Sequence, residues 1–123
     1  MKRYRGATPE GSLQWDIMEA ARALGLFPRR FNVVGFRGRS SRMVGTPDLY
    51  MTLPRGRACW IEVKPKGERP TEDQLAFLAI ESGRGAICAV VHSVSEFLAL
   101  MASAGIVEPE RGRDTAAPST TPS

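Results

Sequence analysis

The chain has 123 residues, of which 42% are apolar and 24% charged, and carries a net charge of +4. That length holds one domain with a core of its own; the composition excludes collagen, a coiled coil and wholesale disorder, and no apolar stretch approaches the roughly 20 residues that span a bilayer. The charge is uneven: residues 29–57 hold seven arginines and one acid, Asp48, a density that favours a polyanionic partner, with a solubilising basic surface as the plainer reading.

Residues 1–7 read as a basic arm, 8–107 as the folded domain and 108–123 as a disordered Pro/Ser/Thr/Ala tail. The first helix starts at Thr8-Pro9, since Thr is a good N-cap and Pro at the first helical position has no N–H to leave unpaired. Leu13, Ile17, Ala20, Ala21 and Leu24 form its buried stripe and Gly25 stops it. Glu10 and Gln14 lie on that stripe, whereas Glu19 points away from it. Gly11, a poor helix former, weakens the first turn.

Three strands follow, over 31–36 (FNVVGF), 48–53 (DLYMTL) and 58–64 (ACWIEVK). The turn Pro54-Arg55-Gly56-Arg57 joins the last two as an antiparallel hairpin. Thr71 with Gln74 is a capping box opening a second helix, with Leu75, Leu78 and Ala79 as its apolar face and Gly83 or Gly85 at its end. Residues 86–91 (AICAVV) read as a strand covered on both faces. Ser93 with Glu96 is a second capping box, opening a last helix through Phe97, Leu98, Leu100 and Met101 that Gly105 closes. The fold class is α/β: a mixed central sheet flanked by helices, in which the second helix lets the strands around it run parallel. Cys59 and Cys88 sit in apolar runs, and with no signal peptide they read as reduced core thiols of a cytoplasmic protein.

The chemistry concentrates on the hairpin. Glu62 and Lys64 share a face of an otherwise apolar strand, Val63 points the other way, and Asp48 comes within reach across the hairpin. Charged groups in a core strand need partners or a task. Glu62 and Lys64 alone read as an ion pair. Two carboxylates about 5 Å apart repel by roughly 3 kcal/mol at an effective dielectric of 20. A divalent cation reverses that penalty, and hard oxygen donors suit Mg²⁺ or Mn²⁺. The Val63 carbonyl is a candidate further ligand, Glu10 a candidate third carboxylate, and Lys64 a cation able to orient water or stabilise charge on a phosphoryl group. Arg37, Arg39 and Arg42, in a loop rich in Gly and Ser, read as phosphate-tracking groups, with Lys66 on the same positive rim. His92, the one histidine, reads as a hydrogen-bonded residue and Trp60 as a packing residue.

Together, Gly45-Thr46-Pro47-Asp48-Leu49, Ile61-Glu62-Val63-Lys64, Gln74, the later Gly-Ala-strand-Ser segment and the N-terminal Glu10, Leu13 and Gln14 resemble the VRR-NUC branch of the PD-(D/E)XK nucleases over residues 8–102. The resemblance implies a restriction-endonuclease-like αβββαβ core and Mg²⁺- or Mn²⁺-dependent endonucleolytic hydrolysis of DNA phosphodiesters. It implies Glu10, Asp48, Glu62 and the Val63 carbonyl as metal-site members, with Asp48, Glu62, Lys64 and Gln74 catalytic or supporting. Gln74 has a second reading, as the capping-box residue alone. Stand-alone members of this length come typically from phages and bacteria, are similar in arrangement to Holliday junction resolvases and can pair as homodimers. That implies branched DNA as substrate and a bacterial or phage-infected cytoplasm. The alternative is a non-catalytic DNA-binding module that retains the nuclease fold.

Overall fold

A computed structural model describes residues 8–31 and 45–107. Helix α1 (Pro9–Ala23) is followed by strands β1 (Arg29–Arg30), β2 (Leu49–Leu53) and β3 (Arg57–Val63), helix α2 (Glu72–Gly83), strand β4 (Ile87–Val91) and helix α3 (Val94–Ser103). The sheet order is β1-β2-β3-β4. β2 runs antiparallel to β1 and β3, and β4 runs parallel to β3, as the intervening helix predicts. This mixed four-stranded sheet flanked by helices is the expected fold class.

Alternation divides the sheet. Leu49, Met51 and Leu53 of β2 and Cys59, Ile61 and Val63 of β3 pack in one cluster with Ile17, Met18 and Ala21 of α1 and Phe97 and Met101 of α3. Trp60 lies on the other face. Its ring meets Tyr50 at 4.7 Å, Phe77 of α2 at 4.9 Å and Phe31 at 5.9 Å. It is therefore a packing residue, as expected.

The helix starts follow their sequence signals. Thr8 Oγ1 accepts from the Gly11 N–H at 3.0 Å, so the first turn of α1 is capped despite its glycine. Thr71 and Gln74 form the full reciprocal box. Ser93 Oγ accepts from the Glu96 N–H, but the Glu96 carboxylate reaches one residue further, to the His92 N–H at 2.8 Å.

Two expectations shift, and a third falls largely outside the described residues. Among the described residues the first strand is Arg29–Arg30, with the Phe31 N–H donating on to the Asp48 carbonyl at 2.8 Å. Positions 32–36 lie outside the described residues. Helix α2 turns Leu78 and Phe77 inward and leaves Leu75 and Ala79 exposed. The large Phe77 ring, seated edge-on against Trp60, rotates the buried stripe by one position. Strand β4 lies at the sheet edge, so it is half-buried up to Val91. Cys59 is buried and free, its thiol pushed up to about 12 by burial; Cys88 is free and half-buried. Among the described residues no helix is long and apolar enough to cross a membrane.

Candidate metal centre

The β2–β3 register pairs Leu49 with Ile61. One step back along β2, Asp48 stands opposite Glu62, and opposed residues share a face. The backbone fixes both carboxylates crosswise. The Asp48 N–H donates to Glu62 Oε1 at 3.2 Å, and the Val63 N–H donates to Asp48 Oδ2 at 2.9 Å. Lys64, two residues past Glu62, places Nζ 3.6 Å from Glu62 Oε2 and 3.8 Å from Glu10 Oε1. Its own carbonyl faces His92 Nδ1 at 2.9 Å, which ties the end of β3 to the residue after β4 and gives His92 its hydrogen bond.

Glu10 comes from the first turn of α1. Its Oε2 accepts from Gln14 Nε2 at 3.3 Å, one helical turn on. Oxygens of Glu10, Asp48 and Glu62 all lie within 4.8 Å of one another. The structure thus brings together the three expected acids and Lys64.

Burial sets the electrostatics. Glu62 is fully inaccessible. Burial, and then the neighbouring Asp48 charge, push its carboxyl up to about 8, with Lys64 opposing. Burial likewise raises Asp48 to about 6, against the Val63 N–H bond, which favours the ionised form. Glu62 Oε2 is buried and receives no hydrogen bond. An orphaned carboxylate oxygen beside two further acids is a poor structural element and a good cation ligand. The site is reachable from one side, since the Glu10 side chain is 29% exposed and that of Lys64 15%. The donor set therefore fits a hard divalent cation.

The remaining expected residues lie elsewhere. Gln74 spends its amide oxygen on the Thr71 N–H at 2.8 Å. Its helix nevertheless bears on the site, because the backbone of Asp73 lies against Gly45, three residues before Asp48. Lys66 is exposed in the turn after Lys64. Arg37, Arg39 and Arg42 lie outside the described residues. Sequence reasoning placed Gln14 on the Glu10 stripe and in the family motif without a task of its own, and counted Arg30 only within the basic segment. Gln14 is 2% exposed, and its side chain donates to Glu10 and accepts from Arg30. The signal was its position four residues after Glu10 on one helix face; Arg30 had none beyond belonging to the basic segment.

No family model and no curated protein matches the chain. Among solved structures, a VRR_NUC domain superposes with a TM-score of 0.62 at 35% identity, covering 78% of this chain and 97% of that one. A likeness in sequence as well as in backbone, over nearly the whole of the matched domain, is more than shared architecture: the chain belongs to the VRR-NUC family, a family of nuclease domains.

Proposed function

We propose that this protein is a divalent-metal-dependent DNA endonuclease that hydrolyses phosphodiester bonds, with branched DNA as its preferred substrate. One observation carries the reading: three carboxylates from α1, β2 and β3 converge within 4.8 Å beside one lysine, and one of their buried oxygens has no hydrogen-bond partner. Glu10, Asp48, Glu62 and the Val63 carbonyl are the residues that would hold the cation, Mg²⁺ or Mn²⁺ by its oxygen donors. When bound, the ion supplies positive charge against a phosphate oxygen and lowers the pKa of water. Lys64, held near Glu62 and Glu10, presents an ammonium to the attacking water or to a non-bridging phosphate oxygen, stabilising the charge that develops at phosphorus. The crossed hydrogen bonds of Asp48 and Glu62 keep both carboxylates oriented before substrate arrives. Gln74 supports the site indirectly, by fixing the turn of α2 on which the Gly45 loop rests. Arg37, Arg39, Arg42 and Lys66 are assigned to the DNA backbone on charge. Cutting two strands symmetrically would require two copies, each with one site.

The test is cleavage of labelled four-way junction, flap, single strand and plain duplex, with Mg²⁺, Mn²⁺ or EDTA. Metal-dependent products that Glu62→Ala and Lys64→Ala abolish, with DNA binding retained, support the reading. Full activity in either variant refutes the mechanism. Salt-sensitive DNA binding without cleavage in any metal would make the protein a binding module instead.

A further inference from the structure

We infer that Arg30 is a substrate-positioning residue, which grips a DNA phosphate at the rim of the acidic cluster and is aimed there by Gln14. This rests on the nuclease reading above. The buried amide of Gln14 is oriented without ambiguity. Carboxylates only accept, so the edge facing Glu10 Oε2 is the NH₂; a guanidinium only donates, so the edge facing Arg30 Nε is the carbonyl. The Arg30 Nε–H donates to Gln14 Oε1 at 3.0 Å, while the residue as a whole stays exposed at the sheet edge. Its terminal amino groups meet no acceptor among the described residues. Arg30 stands one side chain away from Glu10, yet forms no ion pair with it: the amide lies between them.

That spacing has a chemical consequence. An arginine paired directly with Glu10 would consume both the carboxylate and the guanidinium fork. Interposing a neutral amide leaves the acid free for a cation and the fork free for an anion. Glu10 is thereby flanked by Lys64 on Oε1 and, through Gln14, by Arg30 on Oε2. The planar fork suits the paired non-bridging oxygens of a phosphodiester, which a lysine would meet only as a point charge.

The test is binding of a double-stranded oligonucleotide in EDTA over a range of salt, beside calorimetric titration with Mn²⁺ alone. Arg30→Ala is expected to weaken DNA binding roughly tenfold and to make the salt dependence shallower by about one charge. Its Mn²⁺ affinity is expected to stay within twofold of the original. Gln14→Ala is expected to weaken both, since it frees Glu10 as well as Arg30. Arg30→Lys, which keeps the charge and loses the fork, is expected to recover only part of the DNA affinity; it gives the same reading if Arg30→Ala does not fold. DNA affinity and salt slope unchanged in Arg30→Ala, while the original chain binds, would overturn this inference and leave the nuclease reading standing. An original chain that neither binds nor cuts DNA would overturn both.

Discussion

Strand β3 ends in two unlike ways. At its amino end Arg57 donates from Nη2 to the carbonyl of Ala104, the C-cap of α3, at 3.0 Å, and its Nε is buried without a partner. At its carboxyl end Glu62 Oε2 is buried and receives no hydrogen bond either, although the Lys64 ammonium stands 3.6 Å away. The two orphans are not equivalent. The guanidinium spreads one charge over five N–H groups and uses one of them to tie the hairpin to α3. The carboxylate faces Asp48 and Glu10, and each like pair about 5 Å apart opposes the fold by roughly 3 kcal/mol at an effective dielectric of 20, with one ammonium to offset them. One end contributes to stability. The other works against it, and an arrangement that folding disfavours is intelligible as a site prepared for a ligand.

The sharpest way to break this contrast is Glu62→Gln. The amide oxygen can still accept from the Asp48 N–H, so packing is retained. Without cation, above pH 8, where the folded protein holds Glu62 ionised, the variant is expected to be more stable than the original by about 1–4 kcal/mol, because a buried charge is removed. DNA cleavage should fall by more than about 100-fold, since the loss of a direct ligand exceeds the loss of a residue behind one. Urea midpoints in EDTA and a cleavage assay measure the two. A destabilised variant would mean that Glu62 serves the fold after all.

Proton linkage sharpens the same contrast. The Glu62 carboxyl titrates at about 8 in the folded protein against 4.5 ordinarily, and Asp48 at about 6 against 3.8. Between the unfolded and folded values the native state holds protons that the unfolded chain has released. Stability is therefore fully present below about pH 4 and is lost as pH rises through 6 and then 8. The slope approaches about 1.4 kcal/mol per pH unit for each group in its window. Denaturant midpoints at pH 5, 7 and 9 in EDTA should fall in that order. Saturating Mn²⁺ should flatten the fall, because ligating oxygens must be deprotonated. A flat profile without metal would remove the electrostatic half of the comparison.

Both ends of β3 were partly legible in the sequence, for different reasons. The hairpin, its register and the shared face of Glu62 and Lys64 follow from alternation and a short turn, which are local. Thr8, Thr71 and Ser93 announce their helices because a cap is chemistry within four residues. Glu10 could be placed because Gln14 and Leu13 sit on its stripe. What was not legible depends on distant partners. Phe77 turns α2 by one position because Trp60 waits on β3, and β4 is half-buried because no strand follows it in the sheet among the described residues. The bond from Arg30 to Gln14 crosses 16 residues and two elements, and no spacing rule announces it.

Gly45→Ala tests the acid end through its backbone. Gly45 has φ +88°, and an added Cβ would lie 2.8 Å from the Asp73 carbonyl oxygen, a backbone atom of α2 that cannot step aside cheaply. The strain should cost about 1–3 kcal/mol. It should also displace Asp48, so Mn²⁺ affinity should fall together with stability. Lost stability with unchanged Mn²⁺ affinity would separate the loop from the site.

Arg57→Met is the smallest expected effect and the matching control at the other end. The substitution removes the hydrogen bond to Ala104, which favours the original residue, and the orphaned Nε, which favours the variant. A hydrogen bond from a charged group contributes about 1.5–3 kcal/mol and the orphaned Nε offsets part of it, leaving a loss of about 1 kcal/mol. Methionine covers most of the same apolar path along the strand. Cleavage and Mn²⁺ affinity should be unchanged, because β3 separates Arg57 from Glu62 by five residues, roughly 16 Å at the rise of a strand, beyond the screening length at physiological salt. Should cleavage fall while the fold holds, the two ends must be coupled through the strand itself, and the division of labour along β3 would have to be abandoned.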